Sequence, residues 1–238
     1  MNNRTRLGLM LCLLASSAPA FAAPGTTACK KLDLHSLVSD FSDRPEAKKA
    51  ALPDTSEIVD HSRQLTLTTL NPQIQWLGIG WQAPINGILF AVSCSDGKAI
   101  DAGVVGAVEE IKSGPDLPGV GDTVLVSTTD ASSANTIHRT ISLFTIKAGK
   151  LTSLWHHTLY EDAYLPASNG QQSEFQVTMP DANTIDVTGE HRVYRQTPDG
   201  SDWEKTPFNV REIRETYCLD KVQLTYNACT AGARPAKH

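Results

Sequence analysis

The stretch "TIHRTISLFTIKAGKLTSLWHHTLY", residues 136–160, decides how the chain folds. Two runs rich in threonine, isoleucine, leucine and aromatic residues flank Ala148-Gly149, the composition of two strands joined by a tight turn. With a three-residue loop and Gly149 in the left-handed conformation, Ile146 faces Lys150. Leu143 then meets Ser153, Ile141 meets Trp155, Arg139 meets His157 and Ile137 meets Leu159. This register gathers Ile137, Ile141, Leu143, Trp155 and Leu159 on one face, leaving Thr140, Ser142, Thr152, His156 and Thr158 on the other. A two-residue loop scatters the large apolar groups over both faces. The first register is expected because it makes a core.

The same pattern recurs downstream. From Asp122 onward, "TVLVST", "TIHRTISLFTI", "KLTSLWHHTLY", "SEFQVTM", "TIDVTGEHRVYR", "NVREIRETYCL" and "KVQLTYN" read as seven strands of a meander. Turns fall at Ala148-Gly149, at residues 180–183 and at Asp220-Lys221. Upstream, "RQLTLTTL" alternates and stops at Asn71-Pro72, and "NGILFAVSC" is a continuous apolar run, the mark of a strand covered on both faces. "SDGK" turns it back into "AIDAGVVGAV". The Gly/Pro-rich "SGPDLPGVGD" marks a sub-boundary at residues 113–121. Before all of this, Leu34, Leu37, Val38 and Phe41 recur at helical spacing behind a capping Asp33, and Pro45 and Glu46 suit the start of a second helix. The expected fold is mainly β: an antiparallel meander, as sandwich or open barrel, over residues 53–230. A short helical segment at 23–52 precedes it and a flexible tail at 231–238 follows. "ISLFTIKAGKLTSLW", residues 141–155, resembles the inner hairpin of a β-propeller blade, but no second copy follows at blade spacing and no family is assigned.

Arg4 and Arg6, the apolar run Leu7–Ala15 and the small-x-small pattern Ala20-Phe21-Ala22 together read as a secretory signal at residues 1–22. Its run is shorter than the about 20 residues that span a bilayer. Its removal takes two arginines and no acids, moving the formal charge from −5 to −7. That balance argues against nucleic acid as partner, because phosphate neutralisation needs clustered Lys and Arg. Four cysteines then remain: Cys29, Cys94, Cys218 and Cys229. In an oxidising compartment they imply two disulfides, with three connectivities open. Cys29–Cys94 with Cys218–Cys229 is preferred on sequence nearness. A hairpin turning at Asp220-Lys221 opposes the second pair, since it leaves Cys229 about 20 Å along the strand from Cys218 at about 3.3 Å per residue.

Functional candidates are few. His156 and His157 are neighbours on a strand and point to opposite faces, so they do not share a metal ion, and no metal or cofactor is expected. Glu109 and Glu110 point apart likewise, and Glu161 and Asp162 read as a solvated strand end. Trp76 and Trp81 fall on opposite faces, which leaves at least one near the surface; Trp155 reads as core. The candidate ligand-binding residues are Arg139 beside a neutral His157, which present donors to an anion, and Trp203, the expected exposed aromatic of the long loop 196–208. No catalytic residue is assigned. The expected role is a non-catalytic binding or inhibitory module of the bacterial cell envelope, periplasmic or secreted, whose partner is a protein or an envelope component. Two alternatives stand beside it: a hydrolase using His157, Glu161, Asp162 or His191, and a structural envelope protein.

Overall fold

The structure is a computed structural model, which describes residues 29–50, 52–68, 73–82, 85–133, 136–163, 170–198 and 203–229. The expected signal segment and tail lie outside the described residues. Three short helices come first: α1 (Leu34–Ser42), α2 (Pro45–Lys49) and α3 (Thr55–His61). The Asp33 carboxylate accepts the Ser36 N–H at 3.1 Å and caps α1, and Pro45 and Glu46 occupy the first turn of α2, as the sequence implies. Helix α3 falls where a β body was expected. Its signal is local: Asp54 followed by Glu57 is the spacing of a helix start.

Strands β1 (Arg63–Thr68), β2 (Ile74–Gln82), β3 (Ile85–Ser93) and β4 (Ala99–Val105) form one antiparallel sheet in sequence order. The second sheet is an eight-stranded meander. It runs β5 (Ala107–Ser113), β6 (Thr123–Ser133), β7 (Thr136–Lys147), β8 (Lys150–Ala163), β9 (Gly170–Asp181), β10 (Thr184–Tyr194), β11 (Asn209–Asp220) and β12 (Thr225–Ala228). The seven strands expected after Asp122 are β6 to β12. The chain passes from the first sheet to the second at Gly106, where a Cβ would sit 2.2 Å from the Asp130 carboxylate. "SGPDLPGVGD" connects β5 to β6 within one sheet.

Three cores follow from this order. The helices put Leu37, Val38, Phe41 and Ile58 on one face of the four-stranded sheet, against Ile79, Trp81, Ile88 and Phe90. Its other face packs Trp76, Leu89 and Ala91 against Val108, Val124 and Val126 of the second sheet. Trp76 and Trp81 thus do lie on opposite faces, yet both are buried, at 0% and 8% exposure, because both faces are covered. The double covering also explains why "GILFAV" within β3 is apolar without alternation. In the third core the second sheet folds over itself. Leu143, Leu154 and Trp155 of β7 and β8 pack on Ile185, Val187 and Tyr226 of β10 and β12.

Both expected disulfides are formed. Cys29–Cys94 ties the start of the described chain to the end of β3, where Lys30 also donates its N–H to the Cys94 carbonyl at 3.0 Å. Cys218–Cys229 is possible because the hairpin does not turn where the sequence suggested. Asp220 pairs with Thr225, residues 221–224 form the turn, and Leu224 takes a left-handed φ of 59°. Cys218 therefore opposes Asn227, and the two cysteine Cα atoms lie 5.1 Å apart. Asp220 enforces the wider turn, since its side chain accepts the N–H groups of Val222 and Gln223.

One buried carboxylate joins all the layers. Asp101 on β4 accepts Arg44 Nη1 from the helical segment at 2.7 Å and the Leu151 N–H of β8 at 2.9 Å, with Lys150 Nζ 3.9 Å away. Burial raises its pKa, but the Leu151 and Arg44 hydrogen bonds outweigh burial and hold it below the ordinary 3.8. A depressed folded value means the clip is fully present above the ordinary carboxylate range and is lost as pH falls through the folded value. Asp101→Asn is expected to lower unfolding free energy at neutral pH by about 1.5–3 kcal/mol. Denaturant unfolding of both proteins should show the gap closing in acid; equal stability at neutral pH contradicts the clip.

Candidate functional site

Strand β8 carries most of the residues in question, and its register differs from expectation. Ala148 and Gly149 both have positive φ, 50° and 75°, which makes a two-residue hairpin loop with Lys147 opposite Lys150. Two bulges follow, leaving Leu154 and then Leu159 unopposed. Leu143 consequently meets Trp155, Ile141 meets His157 and Arg139 meets Tyr160. The scattering of apolar groups carries no penalty here, because Phe144, Ile146 and Leu151 enter the second core while Leu143, Leu154 and Trp155 enter the third. The first bulge also lets adjacent Leu154 and Trp155 share one core.

His157 sits among aromatic rings: stacked 5.9 Å from Trp155, with Phe175 at 5.1 Å and Tyr217 at 6.0 Å in edge geometry. Its Nδ1 bonds the Thr158 carbonyl at 2.5 Å, and its Nε2 lies 3.3 Å from Glu215 Oε2. The charged neighbour is thus a carboxylate rather than the expected Arg139. Glu215 also accepts the Tyr217 hydroxyl at 2.6 Å, which with His157 holds its carboxyl below the usual range. Burial, then Glu215, pushes Tyr217 up to about 12. His156, by contrast, is exposed.

The other candidates lie elsewhere. Arg139 is 58% exposed and reaches Glu109, 3.7 Å away, whose other oxygen accepts the Thr129 hydroxyl. Glu110 pairs with Lys112 at 2.9 Å, and a bulge at Glu109 brings both adjacent glutamates to one groove instead of parting them as expected. Arg139, Glu109, Glu110 and Arg63 line a mixed-charge groove of about 620 Å³ beside β1. Trp203 is half-buried, bridged through its backbone to Gln196, and the exposed aromatic of that region is Phe208 at 44%, beneath the Arg195 guanidinium.

Sequence reasoning did not find two further arrangements. Pairing across six strands sets Asp130, His138, Glu161, Ser173, His191 and Arg211 in one transverse row. Within it His138 Nδ1 lies 3.8 Å from Glu161, and Ser173 Oγ bonds His191 Nδ1 at 2.9 Å. Burial raises the Asp130 pKa, against the pull of His138. His191 thus meets Ser173 and His157 meets Glu215. Glu161 and Asp162 separate, Asp162 accepting the Tyr160 hydroxyl at 2.9 Å. Among the described residues no three His, Cys, Asp or Glu side chains are placed to hold a metal ion.

The second arrangement is a cleft of about 560 Å³ where the folded-over sheet opens. Leu125 and Ile141 from β6 and β7 face Val177 and Met179 from β9 across it, all four half-buried. The connector 114–116 forms its wall. Thr123 fixes that wall, donating its hydroxyl to the Pro115 carbonyl at 2.5 Å and accepting the Gly114 N–H at its own carbonyl at 2.8 Å. Fully buried Leu117 anchors the far side. Gly114 is required by close approach, since a Cβ there would meet Thr123 Oγ1 at 2.4 Å and Leu143 at 2.7 Å. The wall is preformed, and the volume lies in the range of small-molecule sites. The only sequence signal was the Gly/Pro-rich connector itself.

Trp155→Ala is expected to cost about 3–5 kcal/mol, because the ring is buried among aromatic neighbours. His156→Ala is expected to change stability by no more than about 0.5 kcal/mol. Denaturation midpoints check both; a large loss at His156 or none at Trp155 contradicts the observed register.

No protein-family model, curated protein or solved structure matches this chain, so function rests on the chemistry of its own surfaces.

Proposed function

We propose that the protein is a non-catalytic binding module of the bacterial cell envelope, periplasmic or secreted. The site it uses is the cleft between β6–β7 and β9. One observation carries this reading: four large apolar side chains stay only half-buried inside a concavity whose wall is pinned by hydrogen bonds within the chain. Apolar surface left facing water in a preformed concavity is stabilised by an occupant. The signal-like start of the sequence and the two disulfides support a compartment outside the cytoplasm.

The hydrolase alternative finds support in the Ser173–His191 hydrogen bond, the pairing that nucleophilic catalysis uses. Against it, Ser173 is 7% exposed, which keeps a substrate carbonyl away from its oxygen. The binding reading is therefore preferred.

Thermal unfolding against apolar small molecules and envelope extracts tests it. A ligand present at a hundred times its Kd should stabilise the protein by about 2.7 kcal/mol. Met179→Trp, which fills the cleft, should abolish that gain while leaving the unliganded fold intact by circular dichroism. No stabilisation by any of them, or stabilisation that survives Met179→Trp, contradicts the proposal.

A further inference from the structure

We infer that the ligand of this cleft is a cationic amphiphile, a molecule with an apolar tail and an ammonium head. The inference rests on the binding reading above and adds the chemistry of the occupant. The floor dictates the tail. Leu125, Ile141, Val177 and Met179 present only carbon and sulfur, so a polar group laid on them loses its water without gaining a partner. The rim dictates the head. Asp116 and Asp181 are the acidic residues that line the cleft, no Lys, Arg or His among the described residues lines it, and both acidic residues are exposed.

Asp181 is held in place. Its Oδ1 accepts the Asn183 N–H at 2.6 Å in the β9–β10 turn, which aims the carboxylate while its charge stays at the rim. Its field reaches the neighbouring Tyr226, whose hydroxyl is fixed on the Ala182 carbonyl at 2.6 Å. The charge pattern sets this cleft apart from two other concavities among the described residues. The groove beside β1 sets Arg63 and Arg139 against Glu109 and Glu110. The outer face of β9–β11 likewise sets Arg192 and Arg214 against Glu174, Glu190 and Glu212. The first balances its charges and the second offsets all but one of its carboxylates with an arginine, whereas the apolar cleft carries carboxylates alone. Two like charges at the mouth repel an anionic head and attract a cationic one, and the negative chain as a whole steers in the same direction.

Isothermal titration of the protein with dodecyltrimethylammonium, dodecyl maltoside and dodecyl sulfate, each below its micelle concentration, separates the outcomes. The ammonium compound should bind about tenfold or more tightly than the maltoside, as ionic attraction to one or two rim carboxylates across the head's methyl groups implies, and the sulfate more weakly than either. The double variant Asp116→Asn/Asp181→Asn should erase the preference and leave maltoside binding within about twofold. Added salt should weaken only the ammonium compound. Equal binding of all three, lost in Met179→Trp, overturns the charge inference and leaves the binding reading standing. No binding of any, or binding that Met179→Trp does not reduce, overturns both.

Discussion

Strand β8 keeps β7 beside it throughout and gains β9 only over its last four residues, and the shape of the molecule depends on that difference. Its first part pairs with β7 while its two faces feed two different cores. Its last part, from Tyr160 to Ala163, pairs with both β7 and β9. Between these parts lie the bulges at Leu154 and Leu159, each adding a residue on one strand and with it local twist. Without them an eight-stranded meander would stay an open sheet with one face in water. With them β9–β12 come back over β6–β8, and Trp155 acquires the ring of Tyr217 at 5.6 Å. The cleft is the part of that fold-over which the side chains do not fill.

The same constraint explains where polar groups gather. Once the sheet folds over, its inner surface is apolar near Ile185 and Val187, and its polar rows move toward the end where β8 and β9 pair. There Gln172 donates to the Tyr160 hydroxyl at 3.2 Å and accepts the Tyr194 hydroxyl at 3.0 Å, while Arg192 bonds Glu190 at 2.8 Å. Such a network fixes strand order more than it adds net stability. Asp101 plays the corresponding part at the opposite end of β8, where the Leu151 N–H and Arg44 meet on one carboxylate.

What was legible in the sequence was what local pattern controls. The spacing of Leu34, Leu37, Val38 and Phe41 gave α1, the unbroken apolar run gave a strand covered twice, and turn residues gave the seven-strand meander. What was not legible depended on surfaces distant in sequence. The hairpin register was misjudged because a one-faced core was assumed, and only the neighbouring sheet makes a two-faced one cheaper. The turn at residues 221–224 was misplaced because Asp220, read as part of the turn, instead caps it. The candidates Arg139, His157 and Trp203 were chosen one by one, and their partners, Glu109, Glu215 and Gln196, come from other strands and loops. The cleft joins residue 114 to residue 182, a distance along the chain that no periodicity spans.

The central claim is that an apolar molecule occupies the cleft floor, and Met179 offers a direct view of it. The sequence holds three methionines, at positions 1, 10 and 179, and a form lacking residues 1–22, the expected signal, holds Met179 alone. A spectrum of the processed protein labelled with methyl-¹³C methionine should therefore show one resonance, from a side chain on the floor of the cleft. On titration with dodecyltrimethylammonium that resonance is predicted to move and saturate in step with the calorimetric isotherm. A resonance that stays in place while the ligand binds would put the ligand elsewhere and contradict the account.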